Sequence, residues 1–319
     1  MRCLLMPSKV RIEYEGACYH VINRGNYRSD VFAARGAPES FLRTLGQAAQ
    51  RYAWKIHAYV IMRNHYHLAI ETPRPNLSAG MHWLQGTFAS RFNRFRKQNG
   101  RLFQGPYKAL LIEDREALRR VVDYIHLNPV RAGAVPPAQV GRHAWSSLKA
   151  FKAGTKKPDW LASGGWVGRG ERWKDTPKGA AAYEKHLVEL GSDEAAQKEA
   201  GLIKLSQGWT IGTPAWRRTM AREYAQRKKV SGMGLSKDEV KQIGEAHNEN
   251  ALEEAMKKAG RAEAELRTKP KAADWKVQMA LEMRERGVPV AWLAERLCLG
   301  KAASVRSILW KARRKNHEN

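Results

Sequence analysis

The chain has 319 residues, more than one hydrophobic core usually supports, so two or three domains are expected. Apolar residues make up 43% of the sequence and aromatic residues 9%, which excludes a wholly disordered protein. The 57 lysines and arginines exceed the 31 acidic residues and give a net charge of +26. Because more than half of this excess falls within residues 1–150, which are also rich in core residues, a polyanion such as nucleic acid is a better partner than a membrane surface.

Cysteine usage and hydropathy indicate where the protein is expected to work. Apolar runs such as His57–Met62 are too short to span a membrane, and Met1–Pro7 lacks the apolar centre of a secretion signal. The three widely spread cysteines, Cys3, Cys18 and Cys298, exclude a disulfide framework and a cysteine zinc cage. We therefore expect a cytoplasmic, nucleoid-associated protein.

Alternating strand and helix patterns begin near the N-terminus. The apolar periodicities predict a strand, a helix and two strands joined by a tight turn at Arg63-Asn64, and these four elements are Ala17–Arg24, Glu39–Tyr52, Trp54–Met62 and His65–Thr72.

The pattern continues with a helix, a strand and a helix. Asn76 is expected to cap a helix that runs to about Gln98, and Phe103–Ile112 is expected to form a strand that Gly105-Pro106 interrupts. Asp114 is expected to cap a last helix, which Pro129 would stop. The order β-α-β-β-α-β-α predicts an α/β (α+β) fold of the ferredoxin-like kind, an antiparallel sheet with helices on one face, followed by a mostly helical C-terminal region.

Three domains are predicted: residues 8–150, an extended and helical connecting region over 151–272, and a short helical segment over 273–319. The last segment predicts three helices, and its glycine-containing turn before a basic final helix is typical of a helix-turn-helix. We take Arg306 in that final helix as a candidate DNA contact. An ordinary three-helix bundle that caps the protein is the alternative.

The pair His65 and His67 is the sharpest chemical feature of the sequence. On a strand, residues i and i+2 point to the same side, with Cα atoms roughly 6.5–7 Å apart. Two imidazoles so placed can converge on one metal ion. The same pair could instead contact acidic neighbours or water.

A second pair, Tyr124 and Asn128, lies four residues apart and so on one face of a helix. A tyrosine hydroxyl, with a usual pKa of about 10, needs a metal-polarised electrophile or a nearby base before it acts as a nucleophile. The asparagine oxygen is a hard ligand that could complete a His-His-Asn site. In the alternative interpretation, Tyr124 packs in the core and Asn128 caps the helix before Pro129.

Two segments together resemble a known family. Ile61–Glu71 (IMRNHYHLAIE) followed by Asp123–Gly133 (DYIHLNPVRAG) resembles the single-tyrosine HUH transposases, in particular the REP-associated tyrosine transposases, and the resemblance covers about residues 8–150. Leu205–Gly212 (LSQGWTIG) is similar to longer members of that branch. The terminal helices resemble an appended helix-turn-helix.

The resemblance implies a role for each matching residue. His65 and His67 would be metal ligands, Asn128 the third ligand, and Tyr124 the nucleophile that attacks a DNA phosphate. The ion would be Mg²⁺ or Mn²⁺. This sequence has Arg63 where many relatives have proline. Four basic residues of this domain are candidate contacts to the DNA backbone: Arg24, Arg63, Lys108 and Arg131.

The activity implied is a metal-dependent transposase and endonuclease that cleaves and rejoins single-stranded DNA at hairpin-associated, REP-like sites through a 5′-phosphotyrosine. The enzyme would act as a monomer or homodimer, without a membrane and without a small-molecule cofactor. Three alternatives remain: a catalytically silent DNA-binding regulator, a metal-dependent phosphodiesterase that uses water, and an HUH relaxase or rolling-circle nickase. Two-tyrosine enzymes of the last class carry a second tyrosine one turn from the first, which this sequence lacks around Tyr124.

Overall fold

The computed structural model of the protein describes residues 12–151, 157–162, 174–203, 205–226, 237–268, 270 and 273–315. Cys3 and Met1–Pro7, on which two of the sequence predictions depend, lie outside this part. The chain forms two compact units, one comprising Met1–Trp216 with Ser231–Glu239 and the other Arg217–Val230 with Val240–Asn319. Among the described residues, no helix is both long and apolar enough to cross a membrane.

The first unit is built on a five-stranded sheet in the order β2-β3-β1-β4-β5. β1 pairs antiparallel with β3 and β4, β2 pairs antiparallel with β3, and β5 runs parallel to β4. The mixed α/β fold and the mainly antiparallel sheet are therefore confirmed. The strands are β1 (Ala17–Arg24), β2 (Lys55–Ile61), β3 (His65–Thr72), β4 (Lys108–Ile112) and β5 (Thr210–Ile211).

The helices follow the predicted alternation through the first three and then continue to the C-terminal end. Those before residue 200 are α1 (Ala37–Tyr52), α2 (Leu77–Arg96), α3 (Arg115–Arg131), α4 (Pro177–Ser192) and α5 (Glu194–Glu199). Those after it are α6 (Pro214–Gln226), α7 (Lys237–Lys258), α8 (Glu265–Thr268), α9 (Asp274–Glu285), α10 (Val290–Arg296) and α11 (Ala302–Lys315).

Helices cover both faces of the sheet. On one face, the ring of Tyr66 in β3 lies 4.6 Å from Phe41 of α1, and Phe41 lies 5.2 Å from Phe88 of α2. Successive strand residues point to opposite faces, and His67 contacts Tyr124 of α3 at 5.6 Å between ring centroids. α3 therefore packs on the face opposite α1 and α2, whereas the sequence predicted all helices on one face. Helical periodicity identifies an apolar side but not the sheet face that it meets.

The ends of α3 decide the spacing of the candidate site residues. The Asp114 carboxylate accepts a hydrogen bond from the Ala117 amide at 2.7 Å, so the predicted cap is confirmed. Pro129 does not stop the helix as predicted, since α3 continues through it to Arg131. A proline in the last turn removes a single hydrogen bond near the helix end, which is a small disturbance. Asn128 consequently keeps helical geometry.

Two other local predictions differ from the structure. Asn76 precedes α2 but its side chain does not cap the helix, because its Oδ1 accepts from the Trp54 indole at 2.8 Å and its Nδ2 donates to the Tyr52 carbonyl at 2.9 Å. The strand predicted over Phe103–Ile112 begins only at Lys108, after the Gly105-Pro106 break.

The helices predicted near the C-terminus are confirmed as α9, α10 and α11, and their apolar sides share one core in the second unit. Arg306 of α11 is exposed, and Trp310 on the same helix is 59% exposed. Buried residues of this core include Met279, Met283, Leu293, Leu297, Val305 and Leu309.

Candidate active site

The two histidines of the His-x-His pair lie side by side on the sheet face that α3 covers. His65 is the first residue of β3, and the ring centroids of His65 and His67 are 5.1 Å apart. In the pairing with β1, His65 lies opposite Arg24. The predicted same-side placement of the histidines is confirmed.

α3 brings Tyr124 and Asn128 to the same place. The Tyr124 ring lies 5.6 Å from that of His67, and the Asn128 Nδ2 lies 3.4 Å from the His67 Nε2. Tyr124 is 6% exposed and Asn128 7%. Because the two residues are one helical turn apart, both side chains reach the histidines from the same side of α3. The structure thus brings together all four residues predicted for the reaction.

The histidines are held in the neutral form. Burial lowers the pKa of His65 to about 4, an effect that nearby Arg24 reinforces and a hydrogen bond between His65 and Asn128 partly offsets. Burial also lowers the pKa of His67 well below its usual value, and the neighbouring His20 adds to this shift. A neutral imidazole is the form that ligates a metal ion.

The donor atoms fit a divalent cation. The 3.4 Å between the His67 Nε2 and the Asn128 amide is close to the roughly 3 Å that separates neighbouring ligands of an ion bound at about 2.1 Å. The Asn128 Nδ2 faces His67 in the structure, and turning the amide over would present its oxygen, the atom that would ligate an ion. Two nitrogens and one amide oxygen accept Mn²⁺ as well as Mg²⁺.

Of the basic residues predicted to contact DNA, some lie near the two histidines and others do not. The Arg131 guanidinium lies 4.9 Å from the centre of the Tyr124 ring. Arg24 and Arg131 both lower the pKa of His67, and Lys108 lowers the pKa of His20, so these three cations lie around the histidines. Arg63 instead forms an ion pair with Asp30 at 2.7 Å. Arg306 belongs to the second unit.

Comparison with known proteins identifies the domain that holds this site. Residues 13–128 match the family described as "Transposase IS200 like", and this range includes both histidines, Tyr124 and Asn128. The similarity to the IS200-like transposases therefore lies in this segment, which is a little over a third of the chain. A solved structure of a REP-associated tyrosine transposase bound to a REP hairpin is 21% identical, with a TM-score of 0.39, over 52% of this chain and 98% of the other. No curated protein matches the chain.

Tyr66 lies apart from the candidate site although it stands between the two histidines in sequence. Its side chain points to the opposite face, where its hydroxyl accepts a hydrogen bond from the Gln85 amide at 2.7 Å. The alternation of the strand predicts this placement, which is confirmed.

Two residues that the sequence patterns did not indicate contact the histidines directly. The His20 Nε2 lies 2.9 Å from the His67 Nδ1, and the Asn64 Oδ1 lies 2.8 Å from the His65 Nδ1. Asn64 is adjacent in sequence to His65, which was a usable signal. His20 could have been placed on this face only from the pairing register of β1 with β3.

A buried hydrogen-bond network connects α3 to α4 and to β2. The Tyr183 hydroxyl of α4 donates to the Asp123 carboxylate at 3.0 Å and lies 2.9 Å from the His126 Nδ1. The His126 Nε2 lies 2.7 Å from the Ser147 hydroxyl, which accepts a hydrogen bond from the Tyr59 amide of β2 at 2.8 Å. The network therefore ties α3 to α4 and to the sheet, which fixes the position of Tyr124 between its network neighbours.

A separate group of metal-ligand types lies further along the same sheet face. Cys18, His57 and Glu71 offer ligand atoms within 4.8 Å of one another. Glu71 is four residues beyond His67 on β3, or about 13 Å along the strand, so this group is distinct from the site at Tyr124. Hydrogen bonds from His57 and Lys55 lower the pKa of Glu71 to about 2, and burial raises the pKa of the Cys18 thiol to about 12. An ion pair therefore accounts for this carboxylate without a metal.

Proposed function

We propose that the protein is a metal-dependent transposase and endonuclease that cleaves and rejoins single-stranded DNA through a phosphotyrosine on Tyr124. One observation carries the proposal: a tyrosine on α3 packs against His67 and, from the same side of its helix, Asn128 reaches the same histidine at 3.4 Å. In a core packing role, Tyr124 would need neither the histidines nor the asparagine. The match to the IS200-like transposases supports the same conclusion.

His65, His67 and Asn128 are the residues that would hold the divalent ion. When bound, it would polarise the scissile phosphate and offset the negative charge that develops there. The low pKa values of both histidines keep their ring nitrogens available at neutral pH. Mn²⁺ and Mg²⁺ are both suitable for this donor set.

Tyr124 supplies the nucleophile. Its hydroxyl oxygen bonds to phosphorus while the bond from phosphorus to the 3′-oxygen breaks, so the tyrosine loses its proton and the freed 3′-hydroxyl gains one. The DNA is left with a 5′-phosphotyrosine, and the reverse attack by a different 3′-hydroxyl rejoins the strand. Arg131, which lies over the Tyr124 ring, is suitably placed to balance the charge of the phosphate.

Single-stranded DNA beside a hairpin is the proposed substrate. Three cations, Arg24, Lys108 and Arg131, lie around the histidines, and a phosphate backbone would neutralise them. The site lies on a sheet face beneath α3, where a rigid duplex would hold its phosphates away from the tyrosine. The resemblance of Ile61–Glu71 and Asp123–Gly133 to the REP-associated branch supports a REP-like hairpin as the target.

We also propose that α10 and α11 act as a helix-turn-helix that binds duplex DNA. Arg306 is exposed on α11, as are Lys311 and Arg313, and Lys301 is exposed just before this helix. A basic second helix after a short turn is the arrangement that enters a major groove. DNA at both sites would keep the protein at the nucleoid.

A covalent-adduct assay tests the function. Full-length protein is incubated with Mn²⁺ and a labelled single-stranded DNA hairpin, and denaturing gels separate a protein–DNA adduct from free DNA. The wild type and Tyr66→Phe should form the adduct, while Tyr124→Phe should bind DNA without forming it. Tyr66→Phe is a matched control, because Tyr66 is buried beside the same histidines but faces away from them.

The other functions give different results in this assay. A DNA-binding regulator would shift the hairpin without cleaving it and without a need for Mn²⁺. A phosphodiesterase that uses water would cleave without an adduct and would remain active as Tyr124→Phe. Either result would overturn the proposal.

A further inference from the structure

His20 connects the Nδ1 side of His67 to a segment far away in sequence. Its Nδ1 lies 2.8 Å from the Leu205 carbonyl oxygen and its Nε2 lies 2.9 Å from the His67 Nδ1. His20 is fully buried, and burial lowers its pKa to about 4. Leu205 lies outside residues 13–128, the range that matches the IS200-like family.

The chemistry of these atoms fixes the hydrogen positions. A carbonyl oxygen only accepts hydrogen bonds, so the hydrogen between Leu205 and His20 is on the His20 Nδ1. A neutral imidazole carries one N–H, so the His20 Nε2 is an acceptor, and the His67 Nδ1 must donate to it. The single hydrogen of a neutral His67 is then on Nδ1, which leaves the lone pair of its Nε2 facing Asn128.

Asn64 imposes the same state on His65. The Asn64 Nδ2 donates to the Arg28 carbonyl at 3.3 Å, which orients the amide so that its Oδ1 faces His65. This oxygen accepts from the His65 Nδ1 at 2.8 Å. A neutral His65 therefore also carries its hydrogen on Nδ1, which leaves its Nε2 unprotonated.

We propose that His20 and Asn64 are positioning residues that hold the two ligand histidines in the Nδ1–H tautomer, so that each Nε2 is unprotonated and can ligate a divalent cation. Each positioning side chain is itself anchored on a backbone carbonyl, of Leu205 for His20 and of Arg28 for Asn64. The proposal rests on the metal site of the proposed function. Partners that fix the tautomer of a ligand histidine typically change metal affinity 10- to 100-fold.

The proposal gives the segment after Leu205 a role in the site. β5 follows within a few residues and extends the sheet beside β4, where the Leu111 amide donates to the Trp209 carbonyl at 3.0 Å. This pairing holds the Leu205 carbonyl behind His20. Residues beyond the family match therefore complete the support of His67.

Nitrogen NMR on the metal-free full-length protein reads the tautomers directly. With ¹⁵N-labelled histidine, long-range correlations distinguish a protonated from an unprotonated ring nitrogen, and single substitutions assign the ten histidines. We expect His20, His65 and His67 to show a protonated Nδ1 and an unprotonated Nε2 at neutral pH. A hydrogen on the Nε2 of His67 or His65 in the wild type would overturn the proposal.

Mn²⁺ binding, followed by the EPR signal of the free ion, tests the consequence without DNA or cleavage. His20→Phe should weaken the Kd by about 10- to 100-fold, and His20→Gln, whose amide can still accept from His67, should restore most of it. His57→Phe is the matched control, because His57 is also buried on this sheet but bonds Glu71 instead. An unchanged Kd in folded His20→Phe would contradict the proposal.

The two failures can be told apart. If His20→Phe does not fold, two measurements still test the proposal. One is the tautomers of the wild-type histidines. The other is the Mn²⁺ affinity of Asn64→Ala, which we expect to fall by a similar factor. Correct tautomers and Mn²⁺ binding without a DNA adduct would leave the positioning roles intact and refute the transposase reaction. If the protein forms the DNA adduct but His65 or His67 carries its hydrogen on Nε2, the transposase reaction stands and the positioning roles are refuted.

Discussion

Replacing His126 by glutamine is expected to flatten the acid side of the stability profile. His126 is fully buried, and burial lowers its pKa from 6.5 to about 3. In the unfolded chain the same residue has its ordinary pKa, so between about pH 6.5 and pH 3 the unfolded state binds one proton more than the folded state. The free energy of unfolding therefore falls as the pH falls through this window.

The size of the effect follows from the lowered pKa. One histidine contributes a slope of about 1.4 kcal/mol per pH unit below pH 6, and about 2–3 kcal/mol in total between pH 7 and pH 4.5. Glutamine cannot titrate but can replace part of the hydrogen bonding to Tyr183 and Ser147. At pH 7 the substitution should cost about 1–2 kcal/mol.

Urea unfolding of the metal-free full-length protein, followed by circular dichroism from pH 7 to pH 4.5, measures both quantities. His126→Gln should lose about 2–3 kcal/mol less than the wild type over this range. Equal slopes for the two proteins would show that His126 is protonated in the folded state, and the network that holds α3 would then need another explanation.

Other substitutions test the site, the terminal helices and the core. His67→Ala should abolish cleavage while leaving the melting curve cooperative, and Asn128→Ala should reduce it less because water can replace one ligand; wild-type rates would show the ligands to be misassigned. Removal of residues 273–319 should preserve hairpin cleavage but weaken duplex binding and give it a shallower salt dependence, whereas an unchanged affinity and salt slope would leave these helices as a cap. Gly80→Ala should destabilise the protein by about 1–3 kcal/mol in thermal unfolding, because the added Cβ would overlap the Trp54 ring; an unchanged Tm would contradict that packing.

Local patterns predicted most of the strands and helices that hold the candidate site, and the two pairs of residues that form it. The strand holding His65 and His67 and the helix holding Tyr124 and Asn128 follow from periodicity, since each pair depends only on spacing within one element. Their meeting was predicted only through the family resemblance, because nothing local to either element specifies which helix covers which sheet face.

Contacts between residues far apart in the chain could not be predicted from the sequence. The contact of His20 with Leu205 spans 185 residues, and β5 joins the sheet edge through only two residue pairs. α3 continues through Pro129 to Arg131 because this end of the helix is buried among neighbouring elements, whereas proline by itself favours the end of a helix. Tertiary packing decides each of these.

Mapping the DNA adduct to a peptide tests the central claim most directly. After incubation with Mn²⁺ and hairpin DNA, nuclease and trypsin digestion should leave a nucleotide on the peptide Val121–Arg131, whose single tyrosine is Tyr124. Tyr66 falls in a different tryptic peptide, so the two cannot be confused. A nucleotide on Val121–Arg131 is the result this account predicts, and a nucleotide on any other peptide would contradict it.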